Sequence, residues 1–267
     1  MRWLICVFCS LLVGCSGSWH FQKSPVFVTE ADAARYLREA LNGAGADDRR
    51  EAIQQISRTR FVSQATVVEG MSTIARTDHS PSVRCAAVRA LALAQAEPAA
   101  APLLAILSEH PENAGCLPPD DTVRWDALDA LLPRAQRGAL PAEQQAELSE
   151  SARRLLAGNA SRDVRMAAAR ILGCLPRPEV LSALVDALRQ RDFGVVYEAD
   201  RSLMALTGHD FQHDPAAWSQ WLEKTNDPFA ERGRLDARMR PARSGWWSST
   251  TESFKRGLAR FAPKQES

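Results

Sequence analysis

A short pattern recurs along the middle of this 267-residue chain and limits its possible folds more than any other feature. An aliphatic residue is followed directly by Arg, then by Ala four positions after the aliphatic residue, and by Leu or Ile four positions later. Clean copies begin at Val83, Val123 and Val164, and degenerate copies begin at Asp48 and Val195. The starts lie 35, 40, 41 and 31 residues apart, a spacing that accommodates two helices and two turns per unit.

The spacing within each copy is helical. Positions i, i+4 and i+8 share one face of an α-helix, so each copy predicts a buried stripe. We predict the N-caps of these helices at Ser80, Asp120, Ser161 and Asp192. Partner helices are predicted between them, over residues 61–75, 99–107, 142–156 and 179–188. Because 45% of the chain is apolar and only 7% aromatic, a disordered chain is excluded and an all-β fold is disfavoured.

The units resemble HEAT repeats, in particular the short bacterial form related to the PBS-lyase-type HEAT repeat, whose second helix carries V-R-x-x-A-x-x-x-L. The resemblance covers roughly residues 31–222 in about five units. It implies an all-α fold, an α-solenoid of about five helix pairs that occupies residues 31–228 with a C-terminal capping helix. Gly208 is predicted to end the last repeat helix in the left-handed conformation, and Asp214 to cap the closing helix.

In the HEAT family, the Arg of the signature usually bridges to acidic or carbonyl groups of adjacent units. The resemblance gives this structural role to Arg49, Arg84, Arg124 and Arg165. The alternative is that these residues form a basic ladder that lines a groove for an anionic ligand.

The N-terminal residues predict an export signal. The apolar run over residues 3–13 is shorter than the roughly 20 residues that a membrane-spanning helix needs, and it fits the core of a secretory signal. Residues 11–15, Leu-Leu-Val-Gly-Cys, resemble the bacterial lipobox. The resemblance implies cleavage of residues 1–14, diacylglycerol on the Cys15 sulfur, and an acyl chain such as palmitate on its amine. The alternative is an ordinary signal peptide in which Cys15 is incidental.

The expected location is therefore the bacterial cell envelope, where several acyl chains anchor a protein stably. Residues 15–30 then comprise the lipidated cysteine and a tether. Ser16 favours the outer membrane by the enterobacterial sorting rule, and the periplasmic face of the inner membrane is the alternative. Three cysteines remain in the body, Cys85, Cys116 and Cys174. One disulfide is possible among them, and the sequence leaves its pairing open.

The last part of the chain differs in composition, because residues 229–267 carry nine Lys or Arg against four Asp or Glu. Several apolar side chains there share one helical face, with basic residues elsewhere. This arrangement is typical of an interfacial membrane helix or a partner contact. The alternatives are a tail that packs its aromatics on the solenoid or stays disordered. The predicted contact residues are Trp246, Trp247, Phe254, Lys255, Arg256, Leu258, Arg260 and Phe261.

The sequence contains neither a phosphate-binding glycine loop nor a G-x-S-x-G nucleophile elbow. His209, Asp210, His213 and Asp214 have residue types that bind metals, but no third histidine is near and both carboxylates are expected to cap backbone N–H groups. We therefore expect no metal, cofactor or small-molecule substrate. The near balance of 33 basic and 32 acidic residues argues against nucleic-acid binding.

The function expected from these features is a membrane-anchored, non-catalytic scaffold that binds an envelope protein or peptide, since repeat solenoids use their extended surfaces for binding. One alternative is a mechanical link from the membrane to another envelope layer through the basic tail. Another is a bilin-lyase-like enzyme, since some PBS-lyase-type HEAT proteins attach tetrapyrroles to cysteine. A short exported chain departs from those lyases in both size and compartment.

Overall fold

The computed structural model describes residues 28–94, 99–108 and 120–235. The predicted signal segment, Cys15 and most of the tether therefore lie outside the described residues. The same holds for Cys116 and for all eight predicted contact residues of the tail.

The described part of the chain is entirely helical, with no strand in those ranges, so it is all-α. It contains eleven α-helices and one 3₁₀ turn, Arg60–Ser63. The helices are α1 (Glu30–Asn42), α2 (Ala46–Ser57), α3 (Ala65–Thr77), α4 (Pro81–Leu93), α5 (Ala100–Leu107), α6 (Asp121–Gln136), α7 (Ala142–Gly158), α8 (Arg162–Leu172), α9 (Pro178–Ala187), α10 (Phe193–Thr207) and α11 (Pro215–Lys224).

The helices pack in two layers. Each odd-numbered helix from α1 to α9 packs on the even-numbered helix that follows it. Each even-numbered helix from α2 to α8 also packs on the next even-numbered helix, and each odd-numbered helix from α1 to α9 packs on the next odd-numbered helix. The layers therefore run in chain order, with the apolar core between them.

The recurring sequence pattern supplies the core of the even-numbered layer. All twelve stripe residues of its last four copies have a relative exposure of 0%. Burying one Val or Leu side chain contributes about 1.5–3 kcal/mol, so the eight Val and Leu residues of the stripe account for much of the packing energy. The twelve are Val83, Ala87, Leu91, Val123, Ala127, Leu131, Val164, Ala168, Leu172, Val195, Ala199 and Leu203.

The predicted starts of the even-numbered helices are confirmed, because the four expected N-caps directly precede α4, α6, α8 and α10. One partner helix begins later than predicted. Residue 61 was expected to open it, but Thr59 Oγ1 accepts a hydrogen bond from the Phe61 amide at 3.2 Å and starts the 3₁₀ turn. Gln64 is then extended, so α3 begins at Ala65.

The C-terminal end of the body closes as the sequence predicts. Gly208 ends α10 with φ of +73°, and Asp214 caps α11 by accepting from two backbone amides. Trp218 of α11 is fully buried, and its Nε1 donates to Asp200 Oδ1 at 3.3 Å. Burial raises the pKa of the Asp200 carboxyl above its ordinary value.

The segment over residues 229–235, here called the clasp segment, returns from α11 to α10. The Gly233 amide donates to the Ala205 carbonyl at 3.2 Å, and Arg234 Nη2 donates to the Gly208 carbonyl at 3.3 Å. Phe229 and Leu235 are partly buried against the core. The sequence predicted that the body ends at residue 228. The clasp segment that follows also packs on the body, because this Arg-rich stretch contains apolar residues.

Candidate interaction surface

A continuous solvent-exposed surface lies on the even-numbered helices, on the side away from the buried stripe. Residues two and six positions after each repeat aliphatic residue are rotated by about half a turn from that stripe. Except for the buried Cys85 they point outward, and the first residue of α10 lies beside them. We call this surface the even-helix face; its residues are Arg89, Trp125, Asp129, Met166, Arg170, Phe193, Tyr197 and Arg201.

The even-helix face exposes aromatic rings. Trp125 is 37% exposed, Tyr197 44% and Phe193 72%. The rings of Phe193 and Tyr197 stack with their centroids 6.2 Å apart. Large apolar side chains gathered on one exposed surface are typical of protein–protein contact sites, so this face is the candidate interaction surface.

Two clefts cross the even-helix face. The first, of about 600 Å³, is lined by residues of α4, α6 and α8 that include Trp125 and Met166; we call it the aromatic cleft. The second, of about 470 Å³, is lined by residues of α6, α8 and α10 and by the clasp segment; we call it the arginine cleft. Arg170 lines both clefts, so they are adjacent.

Cross-helix ion pairs form the floor of this surface. Asp126 of α6 is only 5% exposed and lies 3.1 Å from Arg89 Nη2 of α4. Glu198 of α10, also buried, lies 3.3 Å from Arg170 Nη2 of α8. In both pairs the carboxylate lies deeper than the guanidinium, so the arginines present the positive charge to solvent.

The thiol beneath this floor is not activated as a nucleophile. Cys85 is buried on α4, and burial together with the neighbouring Asp126 carboxylate raises its pKa to about 11. A thiol with this pKa stays protonated near neutral pH, and only the thiolate is a strong nucleophile. Within the described residues Cys85 and Cys174 take part in no disulfide bond, and Cys116 lies outside those residues.

The four predicted ladder arginines lie near the N-terminal ends of the even-numbered helices. Arg49 binds both carboxylate oxygens of Asp78, at 2.7 and 3.0 Å, and also donates to the Gly43 carbonyl at 2.9 Å. Arg84 Nη2 donates to Asp120 Oδ2 at 2.8 Å. Both contacts join one helix pair to the loop that leads into the next even-numbered helix.

The other two ladder arginines differ from each other. Arg165 donates to the Asn159 carbonyl at 2.8 Å and lies 3.9 Å from Asp192 of the next unit. Arg124 pairs with Asp121 of its own helix at 3.3 Å, and that carboxylate also accepts from Asn159 Nδ2 at 3.1 Å. The contribution of these contacts to stability stays a prediction.

The histidines of the C-terminal motif contact neighbouring side chains rather than each other. The His209 ring lies 4.6 Å from the Trp221 ring, and His213 Nδ1 lies 3.7 Å from Asp200 Oδ2. Within residues 28–94, 99–108 and 120–235, no three His, Cys, Asp or Glu side chains cluster as metal ligands. The helices of these same ranges include none with the length and apolarity needed to cross a bilayer.

Sequence reasoning missed the functional candidates on the even-helix face. Trp125, Met166 and Tyr197 occupy the same position of three successive repeat units. That shared position was the available signal, but a single sequence does not distinguish a solvent-facing aromatic residue from one that packs inside.

Comparisons with known proteins add little to this description. No family model and no curated protein matches the chain. A crystal structure of an engineered protein matches 73% of this chain and 90% of its own, with 20% sequence identity and a TM-score of 0.48. That similarity is too low to carry over either a fold or a function.

Proposed function

We propose that this protein is a membrane-anchored, non-catalytic scaffold that binds another protein of the cell envelope through its even-helix face. The observation that carries the proposal is the exposure of Trp125 on α6 and of Phe193 and Tyr197 on α10, on the same side of the even-numbered layer. Tryptophan and tyrosine are the residues most enriched at the energetic centres of protein interfaces.

We further propose that the layered helices form an α-solenoid of HEAT-like pairs. Chain-order packing within each layer supports this proposal, because solenoid repeats contact mainly their sequence neighbours. The outer surface of one layer in such an array is extended, which suits it to binding a partner chain along several repeats.

The membrane part of the proposal rests on the lipobox-like sequence that ends at Cys15. Lipid on this residue places the scaffold at a membrane surface of the envelope. Such a tether raises the local concentration of the scaffold near membrane-associated partners, which strengthens binding without any new contact.

Affinity capture from crosslinked membranes tests the scaffold proposal. Full-length protein is compared with the double variant Trp125→Ala/Tyr197→Ala, and Leu41→Ala on α1, which is also exposed, is the matched control. Because truncation of an interface hot spot costs about 2 kcal/mol or more, we expect the double variant to lose a partner that wild type and Leu41→Ala retain. Equal recovery of the same proteins by the double variant would contradict the proposal, provided that circular dichroism shows unchanged helicity.

A further inference from the structure

The arginine cleft carries an excess of positive charge. Three guanidinium groups line it, those of Arg170, Arg201 and Arg232, together with the single carboxylate of Glu198. Arg170 pairs with Glu198. The lining of the cleft contains no further carboxylate to balance the other two guanidinium groups, so the cleft is electrostatically suited to an anionic group.

Both remaining arginines present their charge in a fixed place. Arg201 Cζ lies 5.7 Å from the Tyr197 ring centroid, a cation–π contact that holds the side chain over the ring. Arg232 Nη2 donates to the Cys174 carbonyl at 3.3 Å. Within the part of the chain that the structure describes, neither arginine forms an ion pair with a carboxylate.

The aromatic cleft differs in charge. Its carboxylates, from Asp121, Asp126 and Asp163, outnumber its guanidinium groups by one, so it has no excess positive charge. It offers the indole of Trp125 and the thioether of Met166, and methionine adapts its shape to irregular apolar side chains. This cleft is therefore suited to an aromatic or long aliphatic side chain.

We infer that the even-helix face binds an acidic peptide segment of a partner protein, with carboxylates in the arginine cleft and an aromatic or long aliphatic side chain in the aromatic cleft. The helices that line the arginine cleft are shifted by one even-numbered helix from those that line the aromatic cleft. Neighbouring helices lie about 10 Å apart, a distance that about three residues of extended chain span. The apolar side chain of the ligand is therefore about three positions from its acidic residues. This inference rests on the proposed function and specifies the chemistry of its partner.

The chain's own C-terminal residues have the wrong charge for the arginine cleft. Residues 236–267 contain seven Lys or Arg against three Asp or Glu. Like charges brought together at an interface are unfavourable. This C-terminal stretch is therefore not the occupant.

Selection from a displayed library of random peptides on the full-length protein in detergent micelles tests this inference. We expect the enriched peptides to be acidic and to carry an aromatic, Leu or Met side chain about three positions from the carboxylates. A synthetic copy of an enriched peptide should bind Arg201→Glu at least about tenfold more weakly than wild type. Arg191→Glu is the matched control, since Arg191 is exposed and lines neither cleft.

The outcomes separate this inference from the function on which it rests. Basic or uncharged peptides that lose binding with Trp125→Ala would overturn the inference and leave the scaffold proposal standing. Two outcomes would overturn the inference and also count against the even-helix face as the binding surface. One is that no peptide is enriched. The other is that the enriched peptides bind wild type, Trp125→Ala and Arg201→Glu equally. Acidic peptides whose affinity falls with rising salt support it, since exposed charge pairs are screened.

Discussion

At the scale of single residues, glycine decides how the C-terminal end closes. Gly208 has φ of +73°, and a Cβ atom at this position would overlap the carbonyl oxygen of Glu231 in the clasp segment. Gly138 has a similar φ of +62°, but a Cβ atom there would meet nothing within 4 Å. Both positions therefore require a left-handed backbone, but only Gly208 also lies too close to another residue for a Cβ atom to fit.

We predict that Gly208→Ala destabilises the protein more than Gly138→Ala. The left-handed conformation costs a residue with a Cβ atom about 1–2 kcal/mol, and this cost applies to both variants. Displacement of the clasp segment adds to it only at Gly208, for a total of about 3 kcal/mol. Urea unfolding of both variants measures the difference, and equal losses would show that the contact with Glu231 contributes nothing.

Single residues also mark the limit of what the sequence could predict. Gly208 and Asp214 were predicted correctly, because left-handed backbone and N-caps select particular residue types. The exposure of Trp125 and Tyr197 was not predicted. A large aromatic side chain favours burial in a core and in an interface for the same physical reason, so residue type alone does not separate the two.

At the scale of elements, the arginine contacts at the helix ends connect successive helix pairs. The Arg49 and Asp78 side chains are 17% and 9% exposed, and their closest atoms are 2.7 Å apart. Burial alone raises the pKa of Asp78, but hydrogen bonds from Arg49 and from the Ser80 amide outweigh it, and the net pKa is lowered. The ionised carboxylate is thus the form that the folded protein favours.

We predict that Arg49→Ala lowers the free energy of unfolding by about 1.5–3 kcal/mol, the range for hydrogen bonds to charged groups. Arg50→Ala is the control, since Arg50 pairs with a highly exposed Asp47 and such pairs contribute about 0–1 kcal/mol. Thermal unfolding at neutral pH measures both effects. Equal losses in the two variants would contradict a structural role for Arg49.

The contribution of the Arg49–Asp78 pair to the free energy of unfolding should decrease at low pH. A carboxyl whose pKa is lowered on folding stabilises the protein above its unfolded pKa, here near 3.8, and loses that contribution as the pH falls through its folded pKa. The stability difference between wild type and Arg49→Ala should therefore shrink as the pH is lowered below about 4. A difference that stays constant down to pH 2 would contradict this assignment.

The boundaries of the helices show why some features could not be predicted from the sequence. The even-numbered helices were located correctly, since periodicity and capping residues indicate the same starts. The 3₁₀ turn before α3 begins where the Thr59 hydroxyl accepts a hydrogen bond from the Phe61 amide, and this local contact competes with a helix start at residue 61. The clasp segment packs through Phe229 and Leu235, and such a tertiary contact leaves no periodic signal in a short stretch.

At the scale of the whole molecule, the proposal joins a helical body to a lipid anchor. We predict that Cys15→Ala removes both the lipid and the cleavage, so that the variant keeps residues 1–14. The physical reason is that cleavage at a lipobox requires the lipidated cysteine, whose several acyl chains then bind a bilayer stably in the wild-type protein. Mass spectrometry of the N-terminus of both proteins measures this, and a wild-type N-terminus without acyl groups on Cys15 would contradict a lipid anchor.

A partner that binds the even-helix face must lie close to its aromatic side chains. A photo-crosslinking amino acid is placed at Tyr197, at Trp125, or at the control position Leu41, and intact cells are irradiated. We expect an adduct of one defined mass at Tyr197 and Trp125 and none at Leu41. No adduct at either aromatic position, or the same adduct at all three, would show that the partner does not bind there.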